Sequence, residues 1–247
     1  MAAASTEERS YSVPGYPAPI HLRESVSDHA IFWQCIVERQ YDMHRFPHGA
    51  RLMEAYRAAL AAGRQPLIID CGGNVGLSAL YLASMFPEAR VAVVEPDEAN
   101  FALLERNTAA LGERVLTLKG GIWHEKGHLR IVNPDSGSST FQVETVQDAA
   151  AGTIRAYTIA EICAIAGADA PLIVKVDIEG AQAKLFSANT AWVGDTHLLM
   201  LELDDWLMPW QGTSRSFFSC ASRYPFEYLI HGETIFCFRD FGPPAGR

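Results

Sequence analysis

Short runs of β-branched and aliphatic residues alternate along the chain with segments whose apolar positions recur every three or four residues. PLIID at 66–70, RVAVVE at 90–95, RVLTL at 114–118, LIVKVDI at 172–178 and HLLMLEL at 197–203 read as buried strands. Helical periodicity follows from Gly76 to Phe86, from Asp97 to Leu111, from Gly180 onward and near Ser214 to Arg223. FEYLIH at 226–231 and TIFCFR at 234–239 meet across Gly232 and Glu233 as a hairpin. Apolar strands alternating with helices build a parallel sheet covered on both faces. The pattern therefore predicts an α/β fold whose terminal hairpin adds an antiparallel edge.

Upstream, SDHAIFWQCIVERQYDM from Ser27 places Ile31, Phe32, Cys35, Ile36 and Tyr41 at near-helical intervals behind Ser/Asp caps, and a second helix from about Ala50 to Ala62 ends at Gly63. Residues 1 to about 27, with Pro14, Pro17 and Pro19, show no period and are expected to be extended or disordered until something covers them. Between Gly120 and Tyr157, Gly127, Pro134, Gly137 and Gly152 separate short strands, which predicts a small β-rich insertion at the sheet's edge. The expected organisation is an N-terminal arm and helical cap over 1–63 and a compact domain over 64–247.

Composition narrows the function. With 20 Lys+Arg against 29 Asp+Glu the net charge is −9, which argues against a nucleic-acid partner because phosphate neutralisation needs a basic surface. The 49% hydrophobic and 20% charged residues are those of an ordinary globular protein. The longest apolar stretches fall far short of the roughly 20 residues of a membrane helix. No basic segment precedes an apolar core at the N-terminus, so the expected location is cytoplasmic, with no membrane partner. Cys35, Cys71, Cys163, Cys220 and Cys237 are widely spread and lack metal or disulfide spacing; they are expected to be reduced core residues.

In open α/β sheets ligands bind beyond the carboxyl ends of the strands. There the first strand gives Asp70-Cys71-Gly72-Gly73-Asn74-Val75-Gly76. Gly72 and Gly73 allow a sharp turn and close approach to a ligand, and Gly76 allows the helix to pack on the strand; a purely structural turn is the competing reading. Asn74 stands where a dinucleotide fingerprint needs its second glycine, and no P-loop lysine follows. An acid at Asp70 suits a ligand with an ammonium group and a cationic centre better than a phosphate. The second strand ends in Glu95-Pro96-Asp97. A carboxylate some twenty residues after the glycine turn is placed to grip an adenosine ribose. Asp97 is the better partner for the helix dipole. Together these residues favour a nucleoside ligand without a pyrophosphate, of which S-adenosylmethionine is the common example.

The segment IIDCGGNVGLSALYLASMFPEARVAVVEPDEANFALLERN, with LIVKVDIEGAQAKLF about a hundred residues later, resembles the FkbM-type family of S-adenosylmethionine-dependent methyltransferases over residues 66–204. The resemblance implies a class I methyltransferase, Rossmann-like fold with a seven-stranded, mostly parallel sheet. It places Asp70, Gly72, Asn74 and Gly76 around the methionine end of the cofactor and Glu95 on the ribose; Gly73, Ser78 and Pro96 complete these loops. The family usually has Gly-Ala-Asn where Gly72-Gly73-Asn74 stands, and an acid where Gln182 stands. In such folds Ile122 or Trp123 packs on adenine, or else both are core. His124, Glu125 and His128 suggest surface groups of a hairpin more than a metal cluster.

Alternation puts Ile173, Lys175 and Asp177 on one side of their strand and Val174, Val176 and Ile178 on the other. In the usual strand order of this fold, 3-2-1-4-5-7-6, Lys175 lies between Asp70 and Glu202 and can neutralise either. Asp177 and Glu179, at the strand end, face the cofactor pocket, and Lys175, Asp177 and Glu179 form the catalytic set, with Asp177 also counted to the cofactor.

The leading reading is an enzyme that methylates a hydroxyl of a small molecule, sugar or secondary metabolite. N-methylation, or a non-catalytic binding and assembly module, is the alternative; an NAD-dependent dehydrogenase is disfavoured by Asn74. A divalent metal held by Asp177 with Asp204 or Asp205 is conceivable, but Lys175 on the same side disfavours it. Acceptor choice is assigned to the N-terminal segment, to Ser136–Phe141, and to Asp204–Thr213 with Trp206 and Trp210. Tyr41, Phe46 and His48 are expected to lid the site, so that removing residues 1–45 leaves a folded but inactive sheet domain.

Overall fold

A computed structural model describes residues 7–131, 143–146 and 149–242. The N-terminal arm is an ordered hairpin of β1 (Glu8–Tyr11) and β2 (Ile20–Arg23). Its cover comes from far along the chain: Asn107 accepts from the His21 amide at 2.7 Å and donates to its carbonyl at 3.0 Å. Arg23 pairs with the buried Asp28 at 2.8 Å and donates to Asn100. In α1 (Val26–Phe32) the cap is Ser25, whose Oγ accepts from the Asp28 amide, rather than Ser27. The helix does not continue to Tyr41, because a π turn over Trp33–Val37 and a left-handed Arg39 (φ 52°) end it, with Cys35, Gln40 and Tyr41 buried. α2 (His48–Ala61) completes the cap.

Next come β3 (Leu67–Cys71), α3 (Leu77–Met85), β4 (Arg90–Glu95), α4 (Glu98–Thr108) and β5 (Val115–Lys119). A second sheet follows, of β6 (Gly121–Ile122), β7 (Gly127–Ile131), β8 (Val143–Val146) and β9 (Thr153–Tyr157) in the order β6-β9-β7-β8. This is the β-rich insertion; Pro134, Gly137 and the Ser136–Phe141 stretch lie outside the described residues. α5 (Ile159–Ala166) is a helix too short for its apolar period to stand out in the sequence. Its signals were local: Thr158 Oγ1 accepts from the Glu161 amide at 3.1 Å, and Gly167 closes it at φ 68°. Then come β10 (Ile173–Val176), α6 (Gln182–Leu185), α7 (Ala191–Asp195), β11 (Leu198–Glu202), α8 (Arg215–Ala221), β12 (Phe226–His231) and β13 (Thr234–Arg239).

The main sheet has seven strands in the order β5-β4-β3-β10-β11-β13-β12, the 3-2-1-4-5-7-6 arrangement of class I methyltransferases. The terminal hairpin supplies the antiparallel part of this sheet, as expected. β13 is antiparallel to both β11 and β12, so the reversed strand lies inside the sheet and the edge strand β12 runs with the others. Side chains decide this: Ile235, Phe236, Cys237 and Phe238 of β13 are buried, whereas Tyr228 and Ile230 of β12 face solvent.

The alternation in β10 separates two cores. Ile173 joins the cluster of Ile68, Leu77 and Leu104, and Val174 and Val176 join Ile69, Cys71 and Leu199 on the opposite face. All five cysteines are buried and free, and burial pushes the Cys35 thiol up to about 12. Among the described residues no helix is long and apolar enough to cross a membrane.

The first core is continuous across residue 63: Ile20, Leu22, Cys35, Tyr41 and Met43 belong to the same cluster as Ile68 and Phe236. Removing residues 1–45 uncovers that face. The truncated chain is therefore expected to aggregate or lose its near-UV circular dichroism, rather than remain a folded, inactive sheet. A soluble, cooperatively melting truncation would contradict this.

Candidate active site

The glycine turn after β3 is shaped by packing. Gly72 has φ 83°, and a Cβ there would overlap the Asp177 backbone carbonyl. A Cβ on Gly73 would overlap Val93 and Leu104. The two glycines thus bring the turn against the loop after β10 and against β4 and α4. Asn74 adopts the left-handed conformation (φ 48°), which asparagine tolerates without the second glycine. Gly76, at φ 89°, starts α3.

Glu95 closes this turn onto the next strand. Its Oε2 accepts from the Asn74 amide at 2.8 Å and its Oε1 from the Asp97 amide at 3.0 Å. Burial raises its pKa, and the two amides oppose that shift. Asp97 caps α4 by accepting from the Asn100 amide at 2.9 Å, as expected from its place before the helix. Pro96 between them is exposed.

Lys175 stands at the centre of the carboxyl ends of β3, β10 and β11. Its Nζ lies 3.1 Å from Asp70 Oδ1 and 3.4 Å from Asp177 Oδ2, and donates to the Gly72 carbonyl at 3.2 Å. Ser78 Oγ donates to the other Asp70 oxygen at 2.5 Å. Asp70 is fully buried and thus engaged by Lys175 and Ser78 within the protein. Burial works against the lysine's charge, yet Asp70, Tyr41, Asp177 and Glu202 hold its pKa well above the ordinary value. Asp177 is different: its side chain is 39% exposed, so one end of this ion pair opens to solvent. Glu179 is exposed beside it, and partial burial with the charges of Asp177 and Asp204 raises its pKa.

Three further residues join the site from outside the sequence motifs. The Tyr41 ring lies 5.6 Å under Lys175 Nζ. Gln40, buried, donates to Glu202 Oε1 at 2.7 Å and to Thr234 Oγ1 at 2.6 Å. Glu202 is raised in pKa by burial and by Asp177. Nothing in the local pattern marks Gln40, because its partners lie some 160 and 190 residues away. Of the expected lid residues only Tyr41 reaches this centre; Phe46 packs on Phe236 and Phe238, and His48 on Phe238 and Glu227, because the hairpin offers them an aromatic surface.

Ile122 and Trp123 are buried, Ile122 in the second core and Trp123 against Leu129 and Ala156. Two buried polar atoms of these loops, Asn74 Oδ1 and Trp123 Nε1, have no partner among the described residues. A nucleoside with an amino-acid tail offers the donors and acceptors such atoms require, so the residues present fit S-adenosylmethionine. Gln182 donates to the Glu202 carbonyl, a bond the family's usual acid could make only when protonated. Asp204 Oδ2 accepts from the Gly180 amide at 3.1 Å and holds the turn after Glu179. No group of three or more His, Cys, Asp or Glu is arranged to hold a metal ion among the described residues.

The model of the methyltransferase FkbM domain matches residues 70–199. No curated protein matches the chain. Among solved structures the chain is similar to precorrin-6y C5,15-methyltransferase from Geobacter metallireducens GS-15, at 9% identity, 70% of this chain, 78% of that chain and TM-score 0.40. It is also similar to fibrillarin in a complex with Nop5p, at 13% identity, 71% of this chain, 73% of that chain and TM-score 0.41. The 16S rRNA N2 G1207 methyltransferase of T. thermophilus, in complex with AdoMet and guanosine, is 15% identical over 96% of this chain and 51% of that chain, with TM-score 0.41. The matched domain spans both the glycine turn and the Lys175–Glu179 loop, and the chain belongs to the FkbM family of S-adenosylmethionine-dependent methyltransferases.

Proposed function

We propose that the chain methylates a hydroxyl group of a small-molecule or sugar acceptor, with Asp177, assisted by Glu179, taking the acceptor's proton. The observation that carries this reading is the half-open ion pair of Lys175 and Asp177. A carboxylate fixed at the strand end by a buried ammonium is held in one orientation while still reaching the cleft, which is what proton removal from an aligned hydroxyl needs. Lys175 is a positioning residue: it anchors Asp177 and is itself anchored by Asp70 and Ser78.

S-adenosylmethionine supplies an activated methyl group. Gly72, Gly73, Asn74 and Gly76 would hold its amino-acid end, Glu95 and Pro96 its ribose, and Ile122 and Trp123 its adenine, with Asp70 and Ser78 supporting the turn from beneath. Glu95 Oε2 keeps acceptor capacity beyond the Asn74 amide, and Oε1, which accepts from the Asp97 amide and over a long 3.4 Å from Asn100 Nδ2, can take a ribose hydroxyl in place of Asn100.

Glu95→Ala is therefore expected to weaken S-adenosylhomocysteine binding by about ten- to a hundredfold, since a charge-assisted hydrogen bond contributes about 1.5–3 kcal/mol. Titration calorimetry measures this, with a melting curve showing that the fold persists. Unchanged affinity would remove the ribose assignment. Transfer of labelled methyl from S-adenosylmethionine across a panel of alcohols, phenols, amines and sugars tests the reaction itself; label found only on nitrogen would replace the hydroxyl reading.

A further inference from the structure

Beside the proposed reaction centre, between the end of β11 and the β12–β13 turn, lies a cavity of about 410 Å³ lined by Glu202, Leu203, Trp206, Ile230, Glu233 and Ile235. Its size is that of a small-molecule site. Its lining combines two carboxylates, an indole and three aliphatic side chains, with no basic residue. Trp206 and Ile230 are each 71% exposed, a large apolar surface left open at this position.

Neither carboxylate has a direct ion pair among the described residues, and Lys175 acts on Glu202 only as a longer-range charge. Glu202 Oε1 is oriented by Gln40 and by Thr234 (3.2 Å), and its second oxygen has no donor among the described residues. Glu233 has no ion pair among the described residues. The cations of neighbouring segments are engaged elsewhere. Lys175 serves Asp70 and Asp177, while Arg45 contacts His231 and the carbonyls of Arg39 and Asp42. Apolar walls around carboxylates that lack a direct ion pair focus a negative potential, and an indole face adds attraction for a cation. Such a cavity repels phosphates and carboxylates.

Position connects it to the chemistry. β10 and β11 are parallel neighbours with Val176 opposite Leu201, so Glu202 lies one strand across from Asp177. Adjacent strands are about 4.8 Å apart. A compact molecule held in the cavity thus spans to the proposed base.

We infer that this cavity is the acceptor site and that it takes hydroxylated compounds bearing a protonated amine, the ammonium at Glu233 and Glu202, the hydrocarbon body on Trp206 and Ile230, and the hydroxyl toward Asp177. This rests on the methyltransferase reading for the acceptor's role, but the binding preference stands on the cavity alone.

The test uses three matched phenols on the full chain, with and without S-adenosylhomocysteine: tyramine, 4-ethylphenol and 3-(4-hydroxyphenyl)propionate, titrated by calorimetry or ligand-observed NMR. Tyramine is expected to bind at least about tenfold more tightly than 4-ethylphenol, and the propionate most weakly. Glu233→Gln is expected to remove most of the tyramine advantage and leave 4-ethylphenol unchanged, whereas Trp206→Ala weakens both. Equal binding of tyramine and 4-ethylphenol, a preference that survives Glu233→Gln, or no binding of any of the three at about 10 mM overturns the inference. S-adenosylhomocysteine titrated into the same samples separates the two claims. Cofactor binding without ammonium preference sinks the acceptor class alone, and absent cofactor binding sinks the methyltransferase reading while the preference is still judged by its own titration.

Discussion

Replacing Asp177 with asparagine is expected to lower turnover by about 10²–10⁴-fold while S-adenosylhomocysteine still binds, the range typical for loss of a general base. Asparagine keeps the size of the side chain and an oxygen for Lys175, so the loop after β10 is held; what it loses is the ability to accept the acceptor's proton. The half-open geometry, with Lys175 buried and Asp177 partly exposed, makes the substitution informative because it removes reactivity without leaving a buried charge unpaired. Glu179, beside it and raised in pKa, is expected to provide the residual rate, so Glu179→Gln alone has the smaller effect and the double substitution the largest. Chelator added to the wild-type enzyme is expected to leave activity unchanged. Wild-type rates from Asp177→Asn would remove the base assignment, and activity that collapses with chelator and returns with Mg²⁺ would replace the lysine-anchored site by a metal-assisted one.

Lys175→Met is expected to destabilise the fold by about 3–5 kcal/mol, the usual effect of stripping one partner from a buried ion pair. Asp70 is then left fully buried with only Ser78 to satisfy it. For a domain of this size the melting temperature is expected to fall by on the order of 10 °C. The double substitution Lys175→Met with Asp70→Asn removes both charges and is expected to recover most of the loss. Its activity, however, should remain low, because Asp177 has lost its anchor. That split distinguishes a positioning role from a merely structural one. A Lys175→Met protein that melts with the wild type would show that the pair is not the keystone of this strand end, and a fully active double variant would show that Asp177 needs no lysine.

The parallel sheet was legible because strands buried on both faces are continuously apolar and each is followed by helical periodicity, so β3, β4, β5, β10 and β11 could be read without knowing their neighbours. The two motifs were legible for a related reason. The glycine turn, Glu95 and the Lys175–Glu179 loop each express local backbone and charge requirements, most sharply at Gly72, whose φ of 83° and contact with the Asp177 carbonyl leave no room for a Cβ. Helix α5 is also specified locally, by Thr158, Glu161 and Gly167, but eight residues are too few for an apolar period to mark it. What tertiary structure alone decided are the contacts made across long stretches of chain. Asn107 orders an arm that has no pattern of its own. The inward placement of β13 reflects which face of the hairpin found an apolar partner. The choice of Asp70 rather than Glu202 as the direct partner of Lys175 is a matter of distance, settled at 3.1 Å across a strand pair in which Lys175 stands opposite Asp70. Gln40 meets Glu202 only because a π turn and a left-handed Arg39 rotate the cap over the sheet. Sequence periodicity records which face of an element is buried; it carries no record of what that face is buried against, and the surroundings of Lys175 and Glu202 are built largely from the latter.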